Sequence, residues 1–372
     1  MEKRPLLVYY SPDCFTDTDI TVIRHLASHF RVVWFYMYES LQAKVMRYKP
    51  EKAKEYAERY GITLEIVDPK MRRRNPKNIL FYKRLAKRIN NYNPDIVYAC
   101  SIFPFWTFCY RHIKCPNKVL GIHDVSLHSY KFSLAKQWIQ HNKENWLKRF
   151  INIFTFSPNQ HDLLKSRLGK DSTMVGMSYK DFGKSEATPP TIDNGVKILF
   201  FGTISLYKGL DLFILALEEL RQVGVKNLYL TIAGKGESWE ECKSLIHTQE
   251  MYNLQVRFID NDEIPDMMSS HHFLALPYRN ATQSGPLAAA IGYGLPVIAP
   301  DFGCFADTVN EEASVLYKKG ELTTALRSIS EMTQDDYAKM RRSMLLLREE
   351  YSEERIANNY IQAFKNILYD DK

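Results

Sequence analysis

The stretch VKILFFGTISLYKGLDLFILALEEL, residues 196–220, decides the fold of this chain. It opens with a short β-rich apolar run that ends at Gly202. After a short loop, an apolar pattern of helical spacing begins at Lys208-Gly209, and its inward positions are Leu210, Phe213, Leu217 and Leu220. A buried strand followed directly by an amphipathic helix is typical of a parallel sheet covered by helices.

The same alternation of strand and helix patterns runs through both halves of the chain. The apolar runs of the first half are residues 6–10, 31–38, 95–101, 118–124 and 154–157. Those of the second half are residues 196–202, 228–234, 256–260, 273–278 and 296–299. Because 372 residues exceed what one hydrophobic core usually organises, we expect an α/β fold of two doubly wound, Rossmann-like domains facing a central cleft.

The domain boundary is predicted at a Pro- and Gly-rich stretch without apolar periodicity. We assign residues 1–183 to a first domain, 184–195 to a linker and 196–352 to a second domain. A last helix at residues 353–372 has an apolar face able to pack on either domain.

Composition excludes several classes of protein. With 45% hydrophobic and 25% charged residues, the chain has the composition of a globular protein. Its longest nearly uncharged apolar stretch, residues 101–110, is about half the length that crosses a bilayer, and the N-terminal apolar run is too short for a signal peptide. We therefore expect a cytoplasmic protein. The six cysteines show no metal-binding spacing, so we expect reduced thiols.

The charge is divided unevenly. Residues 1–183 hold 31 Lys and Arg against 16 Asp and Glu, a net charge of +15 within a total of +7. Residues 70–89 carry nine basic residues and no acidic one, with Ile79, Tyr82, Leu85 or Ala86, and Ile89 at helical spacing. A cationic helix there fits an anionic membrane surface or a pyrophosphate-bearing lipid acceptor, or simply packs on its own domain. The residues proposed for this surface are Arg72, Arg73, Arg74, Lys83, Arg84 and Lys87.

Lys208 is a candidate phosphate ligand. It stands where a strand-ending loop turns into a helix, and the loops that follow parallel strands are where open α/β sheets bind ligands. A lysine at a helix start can meet a diphosphate. An ordinary surface lysine would also fit this position.

A second region, FLALPYRNATQSGPLAAAIGYGLPVIAPDFG at residues 273–303, adds a predicted anion site. Ser284 is placed to cap a helix with Pro286 in its first turn, and Gly285 permits close backbone approach. Free N–H groups at such a helix start attract phosphate. The same pattern also fits a well-capped core helix that binds nothing.

Together these segments resemble the C-terminal domain of family 4 retaining glycosyltransferases, over about 110 residues. The matching residues are Gly202, Lys208-Gly209-Leu210-Asp211, Ile232-Ala233-Gly234-Lys235-Gly236, Pro277-Tyr278, Ala281-Thr282-Gln283-Ser284-Gly285, Gly294-Leu295-Pro296-Val297-Ile298-Ala299, Asp301 and Gly303. More loosely, Ile122-His123-Asp124, Thr155-Phe156-Ser157 and Tyr179-Lys180-Asp181-Phe182 resemble the family's N-terminal half.

The resemblance implies a GT-B enzyme that moves a sugar from a UDP- or GDP-sugar to a hydroxyl, with retention of configuration and without a metal or cofactor. Its acceptor would be a glycan or polyprenyl-linked sugar. The resemblance implies that the domain of residues 1–183 binds the acceptor and the domain of residues 196–352 binds the donor. In that scheme Lys208 and the amides of Ser284, Gly285 and Leu287 hold phosphate, and Gly202, Thr203 and Gly234 line the donor. Thr282 and Gln283 contact the sugar, Ile259 and Asp260 line the base, and His123 lies at the reacting sugar. His123 and Lys208 are the proposed catalytic residues.

The sequence also departs from the family pattern. Thr203 and Ser205 stand where an arginine often follows Gly202, and Ala281 and Ala289 replace two glutamates eight apart. No Gly-Gly pair follows the first strand. These departures keep a second hypothesis open, a non-catalytic subunit of the same fold that binds glycan or a partner transferase.

Overall fold

The computed structural model describes residues 4–13, 15–41, 49–72, 75–125, 134–188 and 190–369. The chain divides into two compact units: unit 1 is Met1–Ser178 with Glu353–Lys372, and unit 2 is Tyr179–Ser352. Each unit is a parallel sheet accompanied by helices, which confirms the predicted α/β class.

Unit 1 has seven parallel strands in the order β3-β2-β1-β4-β5-β6-β7. They are β1 Leu6–Pro12, β2 Arg31–Met37, β3 Thr63–Val67, β4 Ile96–Ala99, β5 Asn117–Ile122, β6 Asn152–Thr155 and β7 Thr173–Met174. Its helices are α1 Thr16–Leu26, α2 Pro50–Arg59, α3 Asn78–Asn91, α4 Thr107–Cys109, α5 Leu134–Leu147, α6 Pro158–Leu168 and the C-terminal α14 Glu353–Tyr369. The order changes direction between β1 and β4, as in other doubly wound sheets.

Unit 2 has six parallel strands in the order β10-β9-β8-β11-β12-β13. They are β8 Val196–Phe201, β9 Leu228–Ala233, β10 Tyr252–Gln255, β11 Phe273–Ala275, β12 Val297–Pro300 and β13 Ser314–Tyr317. Its helices are α7 Leu210–Gln222, α8 Trp239–Lys243, α9 Ile264–Ser269, α10 Gly285–Tyr293, α11 Cys304–Thr308, α12 Leu322–Ser330 and α13 Gln334–Glu350. Here the order changes direction between β8 and β11, which places the loops after these two strands side by side.

The central strands are apolar on both faces because helices cover both sides of each sheet. In β1, Val8 and Tyr10 pack into one core cluster, whereas Leu7 and Tyr9 pack into another. Unit 2 likewise has two clusters, one containing α7 and the other containing α10. The predicted inward positions of α7 are all buried.

The C-terminal helix α14 belongs to unit 1. Ile356, Tyr360 and Phe364 are buried in the same cluster as Tyr9 and Trp34 of the central strands. The last helix therefore completes the core of the first sheet rather than that of the second.

The segment at residues 179–183, assigned from sequence to the end of the first domain, lies with unit 2. The Tyr179 N–H donates to the Tyr351 carbonyl, and the Lys180 N–H donates to the Ala288 carbonyl at 2.9 Å. A Cβ atom on Gly292 would lie 2.3 Å from the Lys180 carbonyl oxygen, so this glycine permits the close approach. These contacts fasten the segment to α10 and to the residue that follows α13.

Two local predictions were wrong. The strand expected at residues 256–260 is instead β10, Tyr252–Gln255, because the Arg257 N–H turns back to the Gln255 carbonyl and ends the pairing with β9. In α3, Tyr82, Leu85, Ala86 and Ile89 are buried as expected, but Ile79 is 52% exposed. The helix begins only at Asn78, which places Ile79 in its first turn and outside the buried stripe.

Over the described ranges, every helix is too short or too polar to cross a membrane. The five cysteines that the structure describes are buried, and no disulfide joins any two of them; they are Cys100, Cys109, Cys115, Cys242 and Cys304. Cys14 lies outside the described residues.

Unit 1 buries a carboxyl group, that of Asp19 in α1. The hydroxyls of Tyr9 and Ser11 on β1 donate hydrogen bonds to its two oxygens, at 2.7 and 2.5 Å. Burial raises the pKa of Asp19 to about 7, although both hydrogen bonds oppose that shift. The folded protein therefore keeps a proton on Asp19 that an unfolded chain releases near pH 4.

We predict that Asp19 makes the fold less stable as the pH rises. Since its pKa is raised on folding, its contribution to the free energy of unfolding falls between about pH 4 and pH 7 and is constant above that window. Asp19→Asn stays neutral, so its free energy of unfolding relative to wild type should rise across the same window. Urea denaturation at several pH values measures this difference.

Ser11→Ala serves as a second variant, because it removes one of the hydrogen bonds that lower the Asp19 pKa. It should extend the pH-dependent loss of stability to higher pH. A difference between Asp19→Asn and wild type that is the same at every pH would contradict this account of Asp19.

Candidate functional site

The loop after β8 brings Lys208 to the carboxyl end of the unit 2 sheet. A single turn of 3-10 helix, Leu206–Lys208, leads into Gly209, which has φ 69° and starts α7. A Cβ atom at Gly209 would lie 1.9 Å from the carbonyl oxygen of Pro277, which follows β11. Only glycine fits this backbone conformation and this contact, so the Lys208-Gly209 pair is fixed against the neighbouring strand's loop.

The Lys208 side chain is buried, with 7% of its surface exposed. Its Nζ donates a hydrogen bond of 2.9 Å to the Tyr278 hydroxyl and lies 4.8 Å from the centroid of that ring. Burial lowers the pKa of Lys208 because the charged amine loses solvation. A buried amine with one phenol as its hydrogen-bond partner is well suited to receive an anion, since an opposite charge restores the favourable energy that burial removes.

The start of α10 adjoins this amine through Tyr278. The Ser284 hydroxyl donates to the Tyr278 hydroxyl at 3.3 Å and accepts the Leu287 N–H at 3.2 Å, so Ser284 caps the helix as predicted. Burial raises the pKa of Tyr278, which keeps the phenol protonated. Because the Tyr278 oxygen accepts from both Lys208 and Ser284, its own proton is the donor that remains for a ligand. Lys208, Tyr278, Ser284 and Gly285 together are called the anion site below.

The supply of backbone amides is smaller than predicted. Pro286 has no N–H, and the Leu287 N–H is already bonded to the Ser284 side chain. The Leu287 N–H, which was predicted to hold phosphate, therefore already has an acceptor in the N-cap. Within the ranges that the structure describes, the Gly285 N–H has no acceptor, and Gly285 itself is only half-buried. The helix start is thus open to a ligand through Gly285.

Two glycines let the strand-ending loops come close to each other. Gly202 has φ 118°, and a Cβ atom there would lie 3.3 Å from Lys208 Nζ and 3.8 Å from Pro286 Cγ. A Cβ atom on Gly234 would lie 1.8 Å from the Gly202 carbonyl oxygen. The structure therefore brings together Gly202, Gly234, Lys208 and the start of α10, four parts that the sequence assigned to one site.

Arg279 is a structural partner of this loop that sequence reasoning did not single out. Its guanidinium pairs with both carboxylate oxygens of Asp211 and donates to the Leu206 carbonyl at 2.6 Å. Asp211 lies in the first turn of α7. This two-pronged contact ties the loop after β11 to the loop that carries Lys208. In the sequence, only Asp211 of the matched motif marked this contact. The residue spacing did not indicate that its partner is Arg279.

The other residues predicted to bind the sugar donor differ in how deeply they are buried. Thr203 is exposed, Thr282 is buried and Gln283 is half-buried. Ile259 is also buried, with 6% exposure. The Asp260 N–H already donates a hydrogen bond to Glu263 Oε1 in a capping box, so it is not available to a ligand unless that bond breaks.

The two alanines that stand where the family often has glutamates lie in the hydrophobic core of unit 2. Ala281 and Ala289 are 4% and 1% exposed and pack in the same cluster as Tyr278. The Ala281 carbonyl accepts the Cys304 N–H, and a Cβ atom on Gly303 would lie 2.2 Å from that carbonyl oxygen. These positions are apolar and closely packed, so the site lacks carboxylates there.

His123 lies in unit 1, directly after β5. Its ring stacks between two aromatic rings, that of Phe15 at 4.4 Å and that of Phe156 at 4.2 Å between centroids. Phe15 follows β1 and Phe156 follows β6, so the three rings gather at the carboxyl end of the sheet. The stack fixes the plane of the imidazole while leaving the residue half-buried.

The predicted basic surface lies partly on α3. Lys83, Arg84 and Lys87 are exposed on this helix, together with Ile79 and Leu80. Arg72 precedes the helix and is exposed, whereas Arg73 and Arg74 lie outside the described residues.

Comparison with known proteins bears on both units. Residues 20–174 match the family model described as Glycosyltransferase Family 4, and residues 195–335 match the model described as Glycosyl transferases group 1. A curated relative, 2-deoxystreptamine glucosyltransferase from Streptomyces kanamyceticus, is 23% identical over 245 residues. That match covers 60% of this chain and 63% of the relative, just under two thirds of its length.

Solved structures match the whole chain in fold. A glycosyltransferase from Rickettsia africae ESF-5 aligns with a TM-score of 0.71 at 15% identity, covering 100% of both chains. Anabaena HepE in complex with UDP and glucose aligns with a TM-score of 0.72 at 13% identity, covering 98% of this chain and 100% of that one. The shared fold is GT-B.

We predict that the Arg279–Asp211 pair stabilises the loop of Lys208. Both side chains are about three quarters buried, at 23% and 24% exposure, so their coupling is less screened than that of a surface pair. A double-mutant cycle of Arg279→Ala and Asp211→Ala, measured by urea denaturation, should give a coupling energy of about 1 to 2 kcal/mol.

The Arg221–Glu250 pair of the same unit is the matched control. Its glutamate is 64% exposed, so the corresponding cycle should give about 0.5 kcal/mol or less. Equal coupling energies in the two cycles would show that the Arg279 contact has no special role in the loop.

Proposed function

We propose that this chain, a glycosyltransferase by the family models that match both of its halves, moves a sugar from a nucleoside-diphosphate donor to an acceptor hydroxyl. The observation that carries the proposal is the anion site of unit 2. There a buried lysine amine, a phenol and a capped helix start are joined by hydrogen bonds at the carboxyl end of a Rossmann-like sheet. This is where such sheets bind the phosphates of nucleotides.

In the proposed reaction, the bond between the anomeric carbon and the diphosphate oxygen breaks, and its electron pair stays on the diphosphate. The acceptor oxygen forms the new bond to the anomeric carbon, and its proton passes to the departing diphosphate. Negative charge therefore develops on the leaving group, where Lys208, the Tyr278 hydroxyl and the Gly285 N–H are fixed donors. Preorganised donors of this kind stabilise a transition state because they need little rearrangement as the charge appears.

The finer features of the proposal follow from the resemblance to retaining glycosyltransferases. We infer transfer with retention of the anomeric configuration and without a metal, since amino groups provide the positive charge. A UDP-linked donor is favoured because HepE, of the same fold, was solved with UDP and with UDP-glucose. His123, held flat between Phe15 and Phe156, is proposed to meet the reacting sugar. The product would be a cell-surface or related glycan.

The test of this function is donor binding and turnover. The free protein should be stabilised against thermal unfolding by UDP or GDP, since a ligand that binds only the folded state raises the melting temperature. With labelled UDP- and GDP-sugars it should release or transfer the sugar. Lys208→Met should lower that rate by about a hundredfold or more, because it removes the positive charge that stabilises the departing diphosphate.

Lys226→Met is the matched control, because Lys226 is an exposed lysine just before β9, at the amino end of the same sheet. It should leave the rate unchanged. If neither nucleotide shifts the melting temperature and no sugar is turned over, the chain is better explained as a non-catalytic subunit. The buried alanines at 281 and 289, where the family carries glutamates, are the observation that favours this second candidate.

We also propose that the exposed face of α3 meets an anionic membrane or lipid-linked acceptor, which would make the protein a peripheral one on the cytoplasmic side. Ile79 and Leu80 are 52% and 59% exposed, and Lys83, Arg84 and Lys87 follow them along the same face. Exposed aliphatic residues beside cations are the combination that binds the headgroup region of anionic bilayers.

The expected result is binding to vesicles that contain phosphatidylglycerol and little binding to vesicles of phosphatidylcholine alone. Replacing Lys83, Arg84 and Lys87 by Gln should weaken the binding about tenfold or more, since each cation near such a surface contributes about 1 kcal/mol. Replacing Lys52 and Lys54 of α2 by Gln is the control, because these exposed lysines lie on another helix of unit 1. Equal losses in both variants would argue against a role specific to α3.

A further inference from the structure

We propose that Lys180 is a second phosphate-binding residue of the anion site, acting beside Lys208 on the diphosphate of the donor. This inference rests on the proposed function. It concerns a residue that the sequence placed only in the segment leading to the linker, and it follows from where the structure holds that segment.

The main chain of Lys180 is fixed to the helix that forms the anion site. Its N–H donates to the Ala288 carbonyl at 2.9 Å, in the second turn of α10. Its carbonyl oxygen lies against Gly292, where a Cβ atom would be only 2.3 Å away. On either side, the Tyr179 N–H bonds to the Tyr351 carbonyl, and the Phe182 N–H bonds to the Tyr293 hydroxyl at 2.9 Å. Residue 180 is therefore held at a fixed distance from the first turn of α10.

The side chain of Lys180 runs from this anchor toward the start of the helix. A Cβ atom built on Gly285 would lie 3.5 Å from Lys180 Nζ and 3.8 Å from its Cε. The amine is thus next to the residue whose N–H is open to a ligand. Lys208 Nζ approaches the same turn from the loop after β8, since a Cβ atom built on Gly202 would lie 3.3 Å from this Nζ and 3.8 Å from Pro286 Cγ. Two amines from different parts of unit 2 therefore flank the first turn of one helix.

The charge of a diphosphate makes a second amine useful. Each of its two phosphate groups carries at least one negative charge at neutral pH, and a further charge develops as the glycosyl bond breaks. Lys208 supplies one positive charge, and the helix start supplies about half of one. Pro286 and the capped Leu287 leave few amides to add to these. Lys180, half-buried and already oriented, supplies the missing charge without a large loss of side-chain entropy.

The experiment compares nucleotide binding by wild type and by Lys180→Met, which keeps the length and the apolar stem of the side chain. The probes are UDP and uridine, or GDP and guanosine if UDP does not bind, measured by titration calorimetry. We expect Lys180→Met to raise the Kd of the diphosphate about tenfold or more and to leave the Kd of the nucleoside unchanged. In transfer assays kcat/KM should fall by a similar factor.

Two variants separate a charge effect from a structural one. Lys180→Arg retains the cation and should keep the diphosphate Kd within about threefold of wild type. Lys184→Met removes an exposed lysine that directly follows this segment, and it should change neither Kd. Thermal unfolding without ligand reports whether Lys180→Met is folded, and Lys180→Gln is used in its place if it is not.

The outcomes distinguish this inference from the function on which it rests. If wild type binds neither UDP nor GDP, the proposed function fails and the role of Lys180 fails with it. If wild type binds a nucleoside diphosphate and Lys180→Met binds it equally well, the function stands and Lys180 is not a phosphate ligand. Equal weakening of diphosphate and nucleoside would also overturn the inference, because it would indicate a general disturbance of the site.

Discussion

The hydrogen bonds that meet at the Tyr278 hydroxyl are the interaction on which the rest of the unit 2 site depends. Lys208 and Ser284 belong to different loops, and each donates to this one oxygen. A buried amine and a buried hydroxyl are costly unless they are paired, so the phenol is what makes both placements tolerable. Because Ser284 also caps α10, the position of the amine is linked directly to the start of that helix.

Glycines allow these groups to meet. Gly209 and Gly234 lie where a side chain would strike a neighbouring carbonyl oxygen, and both have positive φ. The loops after β8, β9 and β11 therefore pack backbone against backbone at the carboxyl end of the sheet. This close packing fixes the loop that carries Lys208, and the Tyr278 hydroxyl and the Arg279–Asp211 pair add side-chain contacts to it.

The sequence allowed the architecture and the loops of the site to be predicted, because strongly apolar central strands and capped helix starts leave local patterns. The strands β3, β7 and β13 were not predicted. β3 and β7 lie at the edges of the unit 1 sheet, and most of their residues are partly or fully exposed, so they lack the apolar runs of central strands. β13, at an edge of the second sheet, is similarly half-buried at two of its four positions.

Side-chain partners were harder to predict than elements. The capping role of Ser284 is local and follows from three neighbouring residues, so the sequence revealed it. The same Ser284 side chain also accepts the Leu287 N–H. The prediction from sequence treated that amide as free, because it counted the unpaired N–H groups of an ideal helix start without subtracting the one that the cap uses. Arg279 and Asp211 are 68 residues apart, and only the folded sheet brings the loops after β8 and β11 together. Long-range pairs of this kind leave no periodic signal.

Under the proposed function, net charge is a poor guide to where the anion binds. Residues 184–372 hold 19 Lys and Arg against 27 Asp and Glu, yet the anion site lies in that half. Lys180 was counted with the basic half by sequence, although its main chain is bonded to α10 of unit 2. Because an anion responds mainly to charges within a few ångströms, two amines beside one helix start outweigh a dispersed excess of surface carboxylates that solvent and salt screen. Under the proposed function, an acidic second unit can therefore still bind a diphosphate, provided that the segment carrying Lys180 stays fastened to α10.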